Sequence, residues 1–406
     1  MATPPTGLLR WVCLLAVVTA GALMLAACSA FSTVATHGVS ATARSPGPLA
    51  FVAKAGGAGA NVFLVTPDGG PAHAVTRGAP AVAEAAWTAD GTRVVFARRA
   101  THTTANGNET GHIDVFVLDR GGTPHLIRRC PLACDARSFA WSPDGRRIAF
   151  VTNIRSHFTG TAGEIAVINA DGSGFHAVCT ETVCGQGLDD PQWSPDDSGL
   201  VFSNMGVIGF FGLGILPSRI WVASADGGDA HPLTQPRCRP GHPPLHGCAY
   251  DSVAAWSPDG RWIAFSRLYQ EVPGHPSQTP RTLIELMRPD GSRLHSIASC
   301  TGILCNQQMP PVWSPDGSRI AYVPDVERSA QIELVSPSGR RSTIRACAGG
   351  RCVAPFGLVW APDGRSLGLL GQTRSPAAYV MNADGSGLHA VGHDIQCCLA
   401  WLPGRR

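Results

Sequence analysis

Trp141-Ser-Pro-Asp-Gly-Arg-Arg-Ile-Ala-Phe150 recurs along the chain and decides its fold. Its Pro-Asp-Gly part predicts a tight turn, because proline fixes φ at the second turn position and glycine supplies the positive φ that closes a hairpin. The apolar residues that follow predict a short β-strand, and the tryptophan ends the strand before the turn. Related copies start at Trp87, Trp193, Trp256, Trp313 and Trp360.

These six tryptophans are 54, 52, 63, 57 and 47 residues apart, and a unit that repeats at such an interval indicates a repeat architecture. Each unit also holds a second turn. In residues 164–178, for example, an apolar run is followed by Ala-Asp-Gly and a further apolar run. One unit therefore predicts four antiparallel strands. Four-stranded sheets that repeat radially are the blades of a β-propeller, so we predict an all-β propeller.

The two ends of the chain each hold part of one unit. Leu49-Ala-Phe-Val52 matches the second strand of the repeat, and Leu399-Ala-Trp-Leu-Pro-Gly404 matches a lone first strand with the start of its turn. We predict that the two ends pair in one blade, which closes the ring and removes its free sheet edges. When Trp401 is counted, seven tryptophans precede seven apolar strands, so seven blades are predicted, with six as the alternative.

From Leu49 onward these repeats resemble the PD40 repeat of the TolB-like propellers, which is named for its Pro-Asp turn. The resemblance implies a propeller that takes part in protein–protein interactions in the cell envelope. The founding member of that family has six blades, so the predicted seven blades and the many cysteines of this chain depart from it. Propellers serve many functions, and the resemblance therefore names no partner.

The first residues predict an export segment. Arg10 supplies a positive charge, residues 11–27 are apolar, and Leu25-Ala-Ala-Cys28 resembles the lipobox of bacterial lipoproteins. That resemblance implies a lipid on Cys28, and the alternatives are a plain secretory signal or an uncleaved anchor helix. We predict a signal peptide at 1–27, a flexible tether at 28–48 and the propeller at 49–406. The expected location is extracytoplasmic, anchored to a membrane of the bacterial cell envelope.

Charge and motifs narrow the expected function. The 406-residue chain has a net charge of +3 and no basic run, so nucleic acid is not an expected partner. It contains no Gly-x-Ser-x-Gly, no His-Glu-x-x-His and no phosphate loop. We therefore predict a binding or scaffold module for an envelope protein or glycan, not an enzyme, and without a cofactor. The alternative is an enzyme at the channel mouth, a metal-dependent hydrolase or lyase acting on an envelope polymer.

Twelve of the fourteen cysteines form six local pairs, each between the fourth strand of one unit and the next tryptophan. An exported location and even pairing predict disulfides that stiffen these loops. In the adjacent pair, a disulfide would join neighbouring residues and would have strained geometry. A zinc site formed by Cys238, His242, His246 and Cys248 is a weaker alternative to a disulfide in that loop. The pairs are Cys130 and Cys134, Cys179 and Cys184, Cys238 and Cys248, Cys300 and Cys305, Cys347 and Cys352, and Cys397 and Cys398.

The connections between second and third strands are long in units two to five, which predicts a binding surface on that side of the ring. One of them, residues 205–217, is apolar and uncharged, and it either docks on a partner or membrane surface or plugs the channel mouth. Carboxylates ahead of the first strands, including Glu84, Asp135 and Asp189, are candidates for a cation or polar ligand, with ordinary solvated acids as the alternative. The candidate binding residues are Phe210, Phe211, Leu213, Ile215, Asp190, Asp251 and Tyr269.

Two further sets of polar residues recur at the same position of each unit, and we predict structural roles for them instead of a common functional site. One histidine follows the second turn in each of six units, so these histidines are expected far apart around the rim. The turn aspartates are expected to accept hydrogen bonds from nearby backbone N–H groups. The histidines are His73, His125, His176, His231, His295 and His389, and the aspartates are Asp68, Asp90, Asp144, Asp196, Asp259, Asp316 and Asp363.

Overall fold

The computed structural model describes residues 46–404 except 55–58, 78–80, 104–108, 131–133, 157–159, 186, 205–217, 237–248, 270–280, 302–309, 325–329 and 373–374. This part of the chain forms seven four-stranded antiparallel sheets. The first strand of each blade contacts the first strands of both neighbouring blades, so the sheets form a closed ring with these strands innermost. The prediction of an all-β propeller with seven blades is confirmed.

The strands follow the repeat. Blade 1 comprises β1 (Pro46–Lys54), β2 (Ala60–Val65), β3 (His73–Ala74) and, from the chain end, β30 (Ile395–Pro403). Blade 2 comprises β4 (Val82–Trp87), β5 (Arg93–Thr103), β6 (Glu109–Asp119) and β7 (His125–Cys130). Blade 3 comprises β8 (Cys134–Trp141), β9 (Arg147–Ser156), β10 (Gly160–Asn169) and β11 (His176–Thr180). Blade 4 comprises β12 (Leu188–Trp193), β13 (Gly199–Asn204), β14 (Arg219–Ser224) and β15 (His231–Pro232).

The remaining blades have the same order. Blade 5 comprises β16 (Ala249–Trp256), β17 (Ile263–Tyr269), β18 (Arg281–Met287) and β19 (His295–Thr301). Blade 6 comprises β20 (Val312–Trp313), β21 (Ile320–Tyr322), β22 (Gln331–Val335) and β23 (Arg341–Arg345). Blade 7 comprises β26 (Ala354–Trp360), β27 (Ser366–Gln372), β28 (Pro376–Asn382) and β29 (His389–His393). A small hairpin, β24 (Cys347–Ala348) and β25 (Arg351–Cys352), and a one-turn helix α1 (Glu181–Cys184) lie between blades.

The two ends of the chain meet in blade 1. Strand β30 pairs antiparallel with β1, with Leu49 opposite Trp401 and Ala50 opposite Ala400. Strand β1 begins at Pro46, three residues before the predicted start of the propeller. Because β1 is the second strand and β30 the first, both ends serve one blade and no first strand of the ring is left unpaired.

The turns between first and second strands owe their shape to the repeat residues. In blade 3 the Ser142 hydroxyl donates to Asp144 Oδ1 at 2.6 Å, and the Arg146 N–H donates to the same oxygen at 2.9 Å. Gly145 has a φ of 66°, which glycine adopts without strain. Burial opposes these bonds, but the Ser142 and Arg146 donors hold the pKa of Asp144 below its ordinary value. The turn aspartates therefore stabilise turns, as predicted.

The tryptophans join neighbouring blades. The Trp193 indole N–H donates to the carbonyl oxygen of Ala140 on the previous blade at 3.0 Å. The guanidinium of Arg147 lies over the Trp193 ring, 4.7 Å from its centre. Such a stack adds a cation–π attraction to the apolar contact between blades. The same indole bond to the preceding blade recurs at Trp141, Trp313 and Trp360.

The histidines of the rim begin the outer strands, and three of them bridge to the next blade. The two ring nitrogens of His176 lie 2.8 Å from the carbonyl oxygen of Gly174 and 2.9 Å from that of Ala225 on blade 4. His125 and His389 reach the next blade in the same way, at Ala170 and Pro67. These residues join blades at the outer edge and do not form a common site.

Disulfides are present in the described residues. Cys179 is bonded to Cys184, Cys347 to Cys352, and Cys397 to its neighbour Cys398. Cys130 and Cys300 are also disulfide-bonded. The side chain of Cys134, together with Cys305, Cys238 and Cys248, lies outside the description, and the predicted pairs there stay predictions.

Candidate functional site

The wall of the central channel is formed by the first strands, which can be aligned on the tryptophan that ends each repeat. The third residue before the tryptophan lies at an irregularity of the strand pairing, where the register shifts. Ser138 and Asp190 occupy this position with φ of 55° and 51°. Val253 and Cys398 occupy it with φ of 49° and 67°. The bulge therefore recurs in blades 1 to 5 and in blade 7, where it brings the residue three positions before the tryptophan to the same level.

At this level, blades 2, 3 and 4 carry polar side chains that contact one another. We call Glu84, Arg137, Ser138, Asp189 and Asp190 the channel cluster. The Ser138 hydroxyl donates to Asp189 Oδ1 at 2.7 Å, and Arg137 Nη1 donates to Asp189 Oδ2 at 3.1 Å. The backbone N–H of Asp190 donates to the same Asp189 carboxylate at 3.0 Å. Asp189 is thus held by blade 3 as well as by its own blade.

Glu84 joins blade 2 to this network. The N–H of Phe139 on blade 3 donates to Glu84 Oε1 at 3.2 Å, and Glu84 is 5 % exposed. Burial raises the pKa of Glu84 to about 8, against the opposing effect of the N–H groups of Phe139 and Ser138. The carboxyl of Glu84 therefore carries a proton at neutral pH and can donate a hydrogen bond.

Asp190 is the least engaged carboxyl of the cluster. It is half-buried, and burial raises its pKa well above the ordinary value, with the neighbouring Asp189 and Glu84 adding to the rise and Arg137 opposing it. Within the described part of the chain, its carboxyl group makes no hydrogen bond or ion pair. Asp190 can therefore accept a donor or a positive charge from a ligand at little cost to the fold.

The rest of the inner ring is different at this level. Val253, Gly357 and Cys398 stand where blades 2 to 4 carry Glu84, Ser138 and Asp190. The polar groups are thus confined to one arc of the channel wall. They lie nearer the face that bears the connections from second to third strands, which we call the loop face; the opposite face is the turn face.

The structure places the other predicted acid, Asp251, in a separate network within blade 5. Both of its carboxylate oxygens accept from Arg267, at 2.6 and 2.9 Å, and Asp251 is fully buried. Arg267 also donates to Glu285 at 3.0 Å, and the Ser296 hydroxyl donates to Glu285 at 2.9 Å. Burial opposes ionisation, but these partners raise the pKa of Arg267 above its ordinary value. Tyr269 is the last residue of β17, the strand that carries Arg267, and it is 41 % exposed at the loop face.

Several predicted site residues lie outside the described residues. These are Cys28, the side chain of Asp135, the apolar loop residues and the cysteine–histidine loop. The loop residues are Phe210, Phe211, Leu213 and Ile215, and the zinc alternative concerns Cys238, His242, His246 and Cys248. Their roles stay predictions.

No group of three His, Cys, Asp or Glu side chains is arranged to hold a metal ion in the described part of the chain. Two of the three carboxyls of the channel cluster, those of Glu84 and Asp189, are instead bonded to serine, arginine and backbone donors. Within the same residues, no helix has the length and apolar character needed to cross a membrane.

Sequence reasoning identified Glu84, Asp189 and Asp190 but missed Arg137 and Ser138. A signal for the missing residues was present, because all five stand three or four positions before a repeat tryptophan. Aligning the units on their tryptophans brings these positions to one level. A search for acids alone could not find their partners.

No protein-family model matches the chain, and no curated protein matches it. Solved structures are similar in fold. A prolyl endopeptidase has 15 % identity and a TM-score of 0.55, with 92 % of this chain and 52 % of that chain covered. The periplasmic gluconolactonase PpgL of Pseudomonas aeruginosa has 15 % identity and a TM-score of 0.53, with 88 % and 99 % covered. TolB of Acinetobacter baumannii has 16 % identity and a TM-score of 0.45, with 73 % and 63 % covered.

The chain thus spans less than two thirds of that TolB and about half of the prolyl endopeptidase. These neighbours overturn the prediction that the chain is not an enzyme. That prediction rested on missing motifs, whereas propeller-containing proteins of similar fold include a peptidase and a lactonase. At these identities the likeness shows the fold alone. The comparisons therefore show a propeller fold that this chain shares with a prolyl endopeptidase and a gluconolactonase, and they assign the chain to no family.

Proposed function

We propose that this chain is an exported β-propeller, tethered to a bacterial membrane through a lipid on Cys28, that binds an envelope protein at the loop face of its ring. The observation that carries the proposal is the channel cluster. Polar side chains from three neighbouring blades meet at one level of the channel wall, and apolar or small residues stand at that level in the other blades.

The chemistry of the cluster suits a polar segment of a partner. Glu84 holds a proton and can donate a hydrogen bond. The Asp190 carboxyl makes no hydrogen bond or ion pair with the described residues. The single cation, Arg137, is taken up by Asp189. A lysine, arginine or amide group of a partner would find an acceptor in the Asp190 carboxyl, which no protein cation contacts among the described residues. A glycan, which presents hydroxyl groups, is the alternative partner.

The proposed location rests on the sequence. The signal peptide at 1–27, the tether at 28–48 and the propeller at 49–406 form an arrangement suited to a protein held outside the cytoplasm. Disulfides such as Cys179–Cys184 and Cys347–Cys352 support it, because disulfides persist in oxidising compartments.

Site-specific photo-crosslinking in the producing bacterium tests the binding face. A photoreactive phenylalanine analogue is placed at Tyr269, 41 % exposed at the loop face, or at Leu294, 45 % exposed near the turn face. The proposal expects a discrete protein adduct from position 269 that weakens when Asp190→Asn is added, and none of that size from position 294. Equal adducts from both positions, or an adduct insensitive to Asp190→Asn, would contradict binding at the cluster.

A second candidate is a hydrolase that acts in the channel, favoured by a protonated carboxyl, Glu84, close to the arginine-paired carboxylate Asp189. Two carboxyl groups in such different environments are the arrangement that general acid and base catalysis uses. The lactonase neighbour suggests sugar lactones as the first substrates to assay. Lactone hydrolysis that Glu84→Gln abolishes would support this candidate; no turnover of lactones or peptide esters would remove it.

A further inference from the structure

The outer edge of blade 6 differs in charge from the rest of the rim. Residues 330–353 contain four arginines and one acid, Glu333. Arg340, Arg341 and Arg345 lie on or beside the outer strand β23, and Arg351 lies in the adjoining hairpin. All four are exposed, and we call them the basic edge.

Among the described residues, the basic edge has no carboxylate partner. No ion pair among the described residues includes any of its arginines. Glu333 instead accepts from the Thr343 hydroxyl at 2.6 Å. Arg341 donates to the Ile297 carbonyl oxygen at 3.1 Å, which fixes its guanidinium beside blade 5 and leaves its charge unneutralised. The positive charge of this edge is therefore available to a partner.

Protection of an open strand edge does not explain the arginines. Charged residues often guard such edges against pairing with other chains. Here, however, the outer strands β11 and β29 are as open and carry neither Arg nor Lys. In blade 2 the two arginines of β7 are engaged, Arg129 with Asp114 at 2.8 Å and Arg128 over the Phe175 ring. The outer strand of blade 6 thus concentrates arginines that have no carboxylate partner among the described residues, whereas β11 and β29 carry no arginine.

The spacing of these groups suits a surface of phosphates. Arg341 and Arg345 are four residues apart on a strand, so they share one side and are separated by roughly 13 Å. Guanidinium groups bind phosphate oxygens through two parallel hydrogen bonds. A row of arginines along an exposed edge can therefore contact several headgroups at once.

We infer that the basic edge docks on anionic phospholipid headgroups and lays blade 6 against the membrane. The occupant follows from the chain outside the propeller. Strand β1 begins at Pro46 in blade 1, and only blade 7 separates blades 1 and 6. If the predicted tether from Cys28 to Pro46 behaves as a flexible chain, its mean span would be roughly 20–25 Å, which would keep a lipid-anchored propeller within reach of the bilayer. The inference goes beyond partner binding in the channel, although its choice of occupant rests on the proposed anchor.

The test uses the chain without its predicted signal peptide and with Cys28→Ser, so that no lipid contributes to binding. Co-sedimentation is measured with mixed phosphatidylglycerol–phosphatidylcholine vesicles and with pure phosphatidylcholine vesicles, at low and high salt. Each basic residue near an anionic surface strengthens binding roughly fivefold. Replacing all four arginines of the basic edge by glutamine is therefore expected to lower the partition coefficient on the order of a hundredfold or more.

A matched control changes the net charge equally at other exposed arginines, Arg120, Arg146, Arg261 and Arg365. It is expected to keep most of the binding. Equal loss in both quadruple variants would reduce the effect to net charge, and no binding of the parent chain to anionic vesicles would overturn the inference. Binding to a soluble sulfated glycan but not to vesicles would also overturn it and identify a polyanion site. Arg345→Glu alone serves if the quadruple variant fails to fold.

Discussion

Two buried clusters of charge in this molecule are built in opposite ways. In blade 5, Arg267 satisfies both Asp251 and Glu285, and Ser296 completes the set within one sheet. In the channel cluster, the carboxyls come from two blades and the one arginine serves Asp189 alone. Burial raises the pKa of Glu84 to about 8, and the charge of Arg137 does not offset this, so Glu84 keeps its proton at neutral pH. The blade 5 network therefore holds one sheet together, whereas the channel cluster keeps carboxyl groups that a ligand can contact.

The largest effect is expected from breaking the saturated network. Arg267→Met leaves Asp251 and Glu285 buried without a cation, which should destabilise the protein by about 3–5 kcal/mol. Urea unfolding followed by tryptophan fluorescence measures the change. Arg261→Met, an exposed position in the same blade, is the control and should change stability by less than about 0.5 kcal/mol. A loss below about 1 kcal/mol for Arg267→Met would show that the blade 5 network does not hold the sheet.

In the channel cluster, a substitution at Glu84 should instead raise the free energy of unfolding. Glu84 binds a proton in the folded state up to about pH 8 but in the unfolded chain only to about pH 4.5, so its contribution to stability falls as pH rises between these values. Glu84→Gln removes that dependence and should stabilise the protein on the order of a few kcal/mol near pH 8, with little effect near pH 5. Unfolding at both pH values measures it. An equal effect of Glu84→Gln on the free energy of unfolding at both pH values would contradict the assignment.

The smallest effect concerns the indole bonds between blades, which offer the same contrast between satisfied and unsatisfied groups. Trp360→Phe removes an indole N–H that donates to the Val312 carbonyl oxygen at 3.0 Å. The free energy of unfolding should fall by about 1 kcal/mol more than the smaller buried area of the phenylalanine ring alone would cause. Trp256→Phe is the comparison, because the Trp256 indole N–H is buried without a partner in the described residues. Its loss should be the smaller one by thermal unfolding, and equal losses would mean that the indole bonds contribute nothing.

The repeat made the fold predictable. Tryptophan, turn and apolar strand recur in register, and the unmatched pieces near Leu49 and Trp401 predicted the joined blade that β1 and β30 form. The acids of the channel cluster were predictable as candidates from their place before the tryptophans. Their partners were not, because the bond from Ser138 to Asp189 joins residues 51 positions apart, in different blades. The histidine bridges were missed for the same reason. Each histidine ring contacts a backbone carbonyl oxygen of the next blade, and the sequence of its own repeat does not indicate that contact.

Strand β1 lies between β2 and β30, with hydrogen bonds to both. A chain pulled by its N-terminus is therefore loaded along two ladders at once, in shear, so many hydrogen bonds share the force instead of opening one by one. Because β30 completes blade 1, the ring also cannot close without this strand. Residues 395–403 follow every other strand of the ring in the sequence, so blade 1 can close only after these residues have been synthesised. A prematurely ended chain would keep β1 as an exposed edge that proteases and chaperones can recognise.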